Sequence, residues 1–440
     1  MTAPLYVVHC IDTEGPLHES LTATFERLKS IAGVSLEPTR ENLHRLRRKE
    51  IDLGGKEEIV ALVVSEPLLA YNDTWDKIDD MLRIIMSPEY RQRHADSRGN
   101  GWIFNWFLLD HVGYDTNPRR RDIGYHNIFD HYLDMIRDTG SNQDDVQFHF
   151  HPMSTYREAN VCATSYLRSP HLLETLARRI IDRQWFPSCF RPGFHAERPD
   201  AHWFLEQWIP FDFANQATAS DVQLQKDVAA GRLGDWRRAP SDWSHYHPDH
   251  DDYQVPGRCR RTIFRCLNVG TRFKLLDQSE VNRAFARADA GLPTVLAFTN
   301  HDFRDMRPDI ESTHAMLKAA SAAFPNVQWQ HARAIDAARA ALGLRPDPDF
   351  KLYATLANED GIFRLDISAT TCTFGPQPFL AIKTRDRRYL SDNLEIHEPH
   401  RRWSYTFDGD TVPPEAVDCV GVAATDASGT PYATALDMRT

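Results

Sequence analysis

Val146-Gln147-Phe148-His149-Phe150-His151-Pro152 alternates apolar and polar residues and then meets a proline. Alternation is the period of a β-strand, and proline, which lacks the N–H a ladder needs, ends it. Residues two apart on a strand share a face, so His149 and His151 point the same way. Imidazole is a common transition-metal ligand, and two on one face make half of a metal site. The structural alternative is a pair of histidines hydrogen-bonded inside an ordinary strand. The metal reading therefore requires a carboxylate from another strand.

Upstream, Leu5 to Ile11 (Leu-Tyr-Val-Val-His-Cys-Ile) reads as a buried first strand that runs into Asp12-Thr13-Glu14-Gly15-Pro16. Two carboxylates at a strand end suit a site; the alternative is capping of a helix at Ser20 to Ile31. Residues 17–100 carry apolar residues at helical spacing, as in Glu41 to Arg48 and Trp75 to Ile85, and predict a helical insertion on the substrate side. Trp102 to Val112 predicts a second strand ending in Asp110-His111, a capping pair or a substrate-facing one. The loop 113–126 holds Arg119-Arg120-Arg121, the best candidate for a local basic patch and otherwise a solvated turn, and its Tyr, Asn, Arg and His suit either sugar or phosphate recognition or plain surface.

Downstream, Trp185 to His195 predicts a strand ending at Arg191-Pro192-Gly193, where an arginine is a poor core residue. A short strand at Phe211 to Phe213 follows. Leu292 to Asp302 predicts a strong late strand ending in His301, and Val327 to Gln330 a last one. Strands alternating with helices over residues 1–344 predict an α/β fold, a parallel (β/α) barrel, which gathers its strand ends on one face. Arg345-Pro-Asp-Pro-Asp marks a stiff boundary. Beyond it, over 350–440, short alternating runs predict a small antiparallel β-sandwich. A competing cluster, His245, His247 and His250, sits between Trp236 and Tyr253 without a strand or helix to frame it.

Bulk properties narrow the function. The chain's 440 residues exceed one ordinary core. With 51 basic and 62 acidic residues, a formal charge of −11 argues against nucleic acid as a partner. There is no signal-peptide pattern at the start, and nowhere a run of about 18 apolar residues, so no membrane span is expected. Seven scattered cysteines without a Cys-x-x-Cys pair suit reduced thiols, and the expected location is cytoplasmic.

The order Asp-x-Glu-Gly, His-x-His-Pro, Arg-Pro-Gly and a late Leu-x-x-x-x-His resembles the NodB-type polysaccharide deacetylases (carbohydrate esterase family four). Those proteins have adjacent aspartates before the glycine and His-x-x-x-His-Pro, so this chain departs at both places. The resemblance covers roughly residues 5–305, and four ordered motifs are more specific than any one of them. It implies a distorted (β/α) barrel that removes acetyl groups from N-acetylated sugars with zinc or another divalent ion. By position, Asp12 becomes the general base, Glu14, His149 and His151 the metal ligands, Arg191 the support for the base, and His301 the general acid. A softer similarity, Arg237-Arg-Ala-Pro followed by Tyr246-x-Pro248, implies a substrate-side loop. Trp236 and Tyr246, with Asp110 and His111, are then substrate-binding candidates. The expected substrate is a small amino sugar or a lipid- or nucleotide-linked sugar precursor. Hydrolysis of a cyclic amide and non-catalytic sugar binding are the alternatives, and the oligomeric state is left open.

Overall fold

A computed structural model of the chain describes residues 2–159, 161, 165–218, 233–359 and 362–438. Seven parallel strands close a distorted barrel: β1 (Leu5–Thr13), β2 (Phe104–Leu108), β3 (Asp145–Phe150), β4 (Cys189–Pro192), β5 (Phe211–Asn215), β6 (Thr262–Asn268) and β7 (Thr294–His301). Each pairs with the next, and β1 closes the ring between β7 and β2. An eighth strand, β8 (Trp329–His331), shares the second edge of β1, taking Leu5 to Val7 while β2 takes His9 to Thr13.

The strands are buried on both faces, as expected where helices cover a parallel sheet. Val8 and Cys10 pack with Cys189, Phe213, Cys266 and Ala297 in one apolar cluster. The same two-residue period carries β1 on to Asp12 and β7 on to His301, and these two are register partners. His149 is likewise the register partner of Arg191. Parallel register thus delivers four polar side chains to one end of an apolar barrel.

Two predicted strands are shorter than their apolar runs suggest. Asp110 and His111 lie beyond β2, and Trp185 to Ser188 precede β4. β6, with Arg265 at its centre, carries no sequence expectation; that arginine is buried and forms paired contacts of 2.7 and 2.9 Å with Glu280. The segment after Gly15 holds six helices between Leu21 and Arg93. Ser20 itself caps the first of them, accepting from Ala23 N at 3.2 Å, so neither Asp12 nor Glu14 serves as the cap. The insertion ties back to the strand-end loops: Asn72 N donates to Phe303 O, Asn72 Nδ2 to Asp302 O, and Leu17 N to Asn72 O.

After residue 350 come β9 (Leu352–Glu359), β10 (Ile362–Ala369), β11 (Phe379–Thr384), β12 (Tyr389–Asp392), β13 (Glu395–Glu398), β14 (Arg402–Phe407), β15 (Val417–Thr425) and β16 (Pro431–Asp437). They form two four-stranded antiparallel sheets, β13-β14-β10-β9 and β12-β11-β15-β16. Their facing sides share a core that includes Ile367, Ile382, Trp403 and Val422. The second sheet also packs on the barrel helix His171–Arg183, where Ile180 and Leu176 join Phe379 and Ala423. Gly421 permits this approach, since a Cβ there would lie 2.7 Å from Ile180 Cγ2. No helix among the described residues is long and apolar enough to cross a membrane.

Candidate metal centre

Asp12 and Arg191 form a buried ion pair at the strand ends. Arg191 Nε and Nη2 donate to the two Asp12 oxygens at 2.6 and 2.9 Å, and Arg191 Nη1 donates to Phe213 O. Burial opposes ionisation of Asp12, but the guanidinium and the His149 ring outweigh it and hold the carboxyl well below its usual range. Asp12 is thus a fixed, ionised carboxylate with both oxygens oriented.

Glu14, His149 and His151 are buried and bring one donor atom each within 4.8 Å of the others. His149 Nδ1 lies 2.8 Å from the Arg191 carbonyl oxygen, so that nitrogen carries the proton and Nε2 presents a lone pair. Burial lowers the His149 pKa to about 4, which keeps the ring neutral. Its Nε2 faces His151 Nε2 at 3.1 Å, and His151 Nε2 lies 3.4 Å from Glu14 Oε1. Two imidazole nitrogens that close, beside a carboxylate, are satisfied by a shared proton or a cation. The donor set, two nitrogens and one oxygen, fits a zinc-type ion with positions left for water and substrate.

Residues outside the predicted ligand and catalytic set hold this cluster in place. Arg121 is no solvated turn; it is buried, with Nη2 2.5 Å from Glu14 Oε2, which leaves Oε1 toward the histidines. Asp302 is fully buried and accepts from Glu14 N, Gly15 N and the Tyr132 hydroxyl at 2.8 to 2.9 Å, fixing the turn that carries Glu14. Burial pushes the Asp302 carboxyl up to about 7 despite those donors. His195 lies 3.4 Å from Arg191 Nη2, and both Phe194 and His195 hold left-handed backbone, with φ of 55° and 51°. Such backbone costs on the order of 1–2 kcal/mol per residue. Packing of Phe194 on the His151 ring and a hydrogen bond from Trp236 Nε1 to His195 O retain it.

Gly193 explains the Arg-Pro-Gly run. A Cβ there would meet His151 Cδ2 at 2.1 Å and His151 Cα at 2.8 Å, so the backbone itself must give way. A Gly193→Ala protein is expected to lose about 1–3 kcal/mol of stability through overpacking. Its metal affinity should fall by about 10–100-fold, as when a ligand's supporting contacts are lost. Thermal melts and metal titration measure both; unchanged affinity would remove His151 from the ligand set.

His301 stands on the other side. Its Nε2 lies 3.9 Å from Asp12 Oδ2 and 3.7 Å from Glu14 Oε1, and burial lowers its pKa although both carboxylates raise it. The four substrate-side candidates each have partners of their own. Asp110 is buried on Arg179 and on His126 N, and His111 Nε2 lies 3.0 Å from Glu14 O. Trp236 is spent on His195 O, and the Tyr246 hydroxyl donates to Tyr253 O. None of the four lines the cavity over the cluster, because each is drawn into the frame around it.

That cavity, about 420 Å³, lies in the size range of small-molecule sites, roughly 300–1,000 Å³. Its walls include Arg27, Ile31, Leu68 and Tyr71 from the helical insertion and Phe303 and Arg304 from the loop after β7. A larger surface hollow, about 740 Å³, is walled by Arg178, Lys383, Arg387 and Asp418 and holds none of the strand-end groups. The rival histidines form no metal-capable group among the described residues. His202, Glu206 and Cys259 do come together, but Arg261 Nη1 donates to His202 Nδ1 at 2.7 Å. A guanidinium only donates, so the neutral ring carries its proton on Nε2 and has no lone pair to offer.

Fold and cluster together define a distorted (β/α)-barrel protein with a buried candidate metal centre of one glutamate and two histidines. Comparison with family models, with curated proteins and with solved structures finds no match to this chain.

Proposed function

We propose that the protein is a metal-dependent hydrolase that removes an N-acetyl group from an amino sugar or a sugar-containing precursor. The observation that carries the reading is the pairing of two carboxylates with separate tasks. Asp12 has both oxygens on Arg191, whereas Glu14 turns one oxygen to Arg121 and the other to the histidines. A cation held by Glu14, His149 and His151 would supply Lewis-acid polarisation of an acyl carbonyl and a more acidic water. Asp12 takes the proton from the attacking water, and Arg191 keeps it ionised and aimed. His301, on the opposite side, delivers a proton to the departing amine nitrogen. The hydrogen bond from His149 Nδ1 to Arg191 O couples the ligand shell to the base. The order of these groups along the chain, similar to that in NodB-type deacetylases, supports the same assignment.

The test is acetate release by zinc-loaded protein from a panel of N-acetylated sugars and nucleotide-linked sugars, run beside ring opening of cyclic amides. Acetate release that a chelator abolishes is the expected result. Ring opening alone would replace the reading with cyclic-amide hydrolysis. Chelator-insensitive sugar binding with no turnover would make the barrel a binding protein.

A further inference from the structure

We infer that the cavity selects a substrate carrying a fixed negative charge, carboxylate or phosphate, away from its reacting acyl group, and that Arg304 reads that charge. This rests on the hydrolase reading for the position of the acyl group, but the anion subsite itself stands on independent observations.

The first is charge. The chain as a whole is acidic, at −11, yet among the described residues five arginines line the cavity against two carboxylates. Those carboxylates are already engaged, Asp12 by Arg191 and Glu14 by Arg121. Arg27 and Arg119 share one buried carboxylate, Glu19. A divalent cation at the triad would add further positive charge. A basic cleft in an acidic protein concentrates field lines on its own mouth and draws anions there.

The second is the state of Arg304. Its guanidinium lies 5.0 Å from the ring centres of both Tyr71 and Phe303, and its Nε and Nη2 donate to Leu68 O at 3.2 Å. Among the described residues no carboxylate lies within ion-pair distance of it, and Nη1 makes no hydrogen bond. Two rings and a carbonyl thus fix the plane of a guanidinium whose charge has no carboxylate partner. A preorganised guanidinium suits two-point recognition of carboxylate or phosphate. The arrangement is also built from two places at once: Tyr71 bridges to Arg304 across the insertion and the β7 loop. The helical insertion thereby becomes part of the specificity wall. Phe303, which packs on His301 at 4.7 Å between ring centres, links that wall to the reacting end.

The test uses zinc-loaded full-length protein and calorimetric binding of three probes: N-acetylglucosamine, its phosphate monoester at the anomeric position, and the N-acetylated uronic acid. Wild-type protein should bind at least one acidic probe ten or more times tighter than the neutral sugar, and which one identifies the anion. Arg304→Gln should erase that preference while leaving neutral-sugar binding within about twofold, the scatter expected for such effects. Arg304→Lys should restore part of it. Equal binding of neutral and acidic probes, or an equal loss of both in Arg304→Gln, would overturn the inference. Acetate release without acidic preference leaves the hydrolase reading standing and removes the subsite. Arg304-dependent anion binding without any hydrolysis does the reverse.

Discussion

Zinc-loaded His149→Ala and Glu14→Gln proteins are expected to hold no stoichiometric metal after dialysis, whereas His247→Ala retains a full equivalent. His149 offers a neutral ring with its free lone pair aimed at His151, because the Arg191 carbonyl takes the other nitrogen. Loss of outer contacts alone costs about 10–100-fold in metal affinity, so loss of a ligand should exceed about 100-fold. His247 sits outside the cluster, its Nδ1 2.9 Å from Arg261 O, and its removal touches none of the donors. Elemental analysis of dialysed protein and titration calorimetry measure both. A His247→Ala protein that is the one to lose metal would place the centre elsewhere.

The difference between these histidines was legible in part. The alternation around His149 and the β-branched run before Asp12 are local signals, and both strands form where those signals lie. Strand-end polarity then follows from barrel topology, which places successive strand ends on one face. What stayed hidden depends on partners far along the chain. β6 breaks its apolar run with Arg265, whose paired contacts go to Glu280 on a later helix. Arg121 reads as part of a basic patch or a solvated turn until Glu14, over a hundred positions upstream, gives it a buried counter-charge. Asp302 adjoins His301 in sequence, yet its task is to hold the Glu14 turn across the barrel. Asp110 and His111 carry the same strand-end signature as the site residues, but Arg179 and the Glu14 carbonyl claim them. Position at a strand end is therefore a necessary signal; the counter-charge that each group finds decides between frame and site.

The Asp12–Arg191 pair yields the other large effect, one on activity and one on stability. Under the proposed assignment, Asp12→Asn removes the general base and should lower acetate release by about 10²–10⁴-fold with metal content unchanged. Arg191→Leu should instead destabilise the fold by about 3–5 kcal/mol at neutral pH, because a fully buried carboxylate loses its counter-charge. Its pH dependence separates this cause from simple cavity formation. In the wild type the Asp12 pKa is depressed, so its contribution is complete above the ordinary carboxylate range and is lost as pH falls below it. Without Arg191, burial dominates and the folded-state pKa rises above its unfolded value, so the variant gains stability as pH falls from neutral toward that range. The stability gap between the two proteins should therefore narrow on acidification, and urea midpoints at a series of pH values measure it. Combining Asp12→Asn with Arg191→Leu should recover much of the loss at neutral pH, since no charge is then left without a partner. A gap that stays constant with pH, or a double variant no more stable than Arg191→Leu, would mean that the cost comes from the lost packing and the Phe213 O contact rather than from the stranded carboxylate.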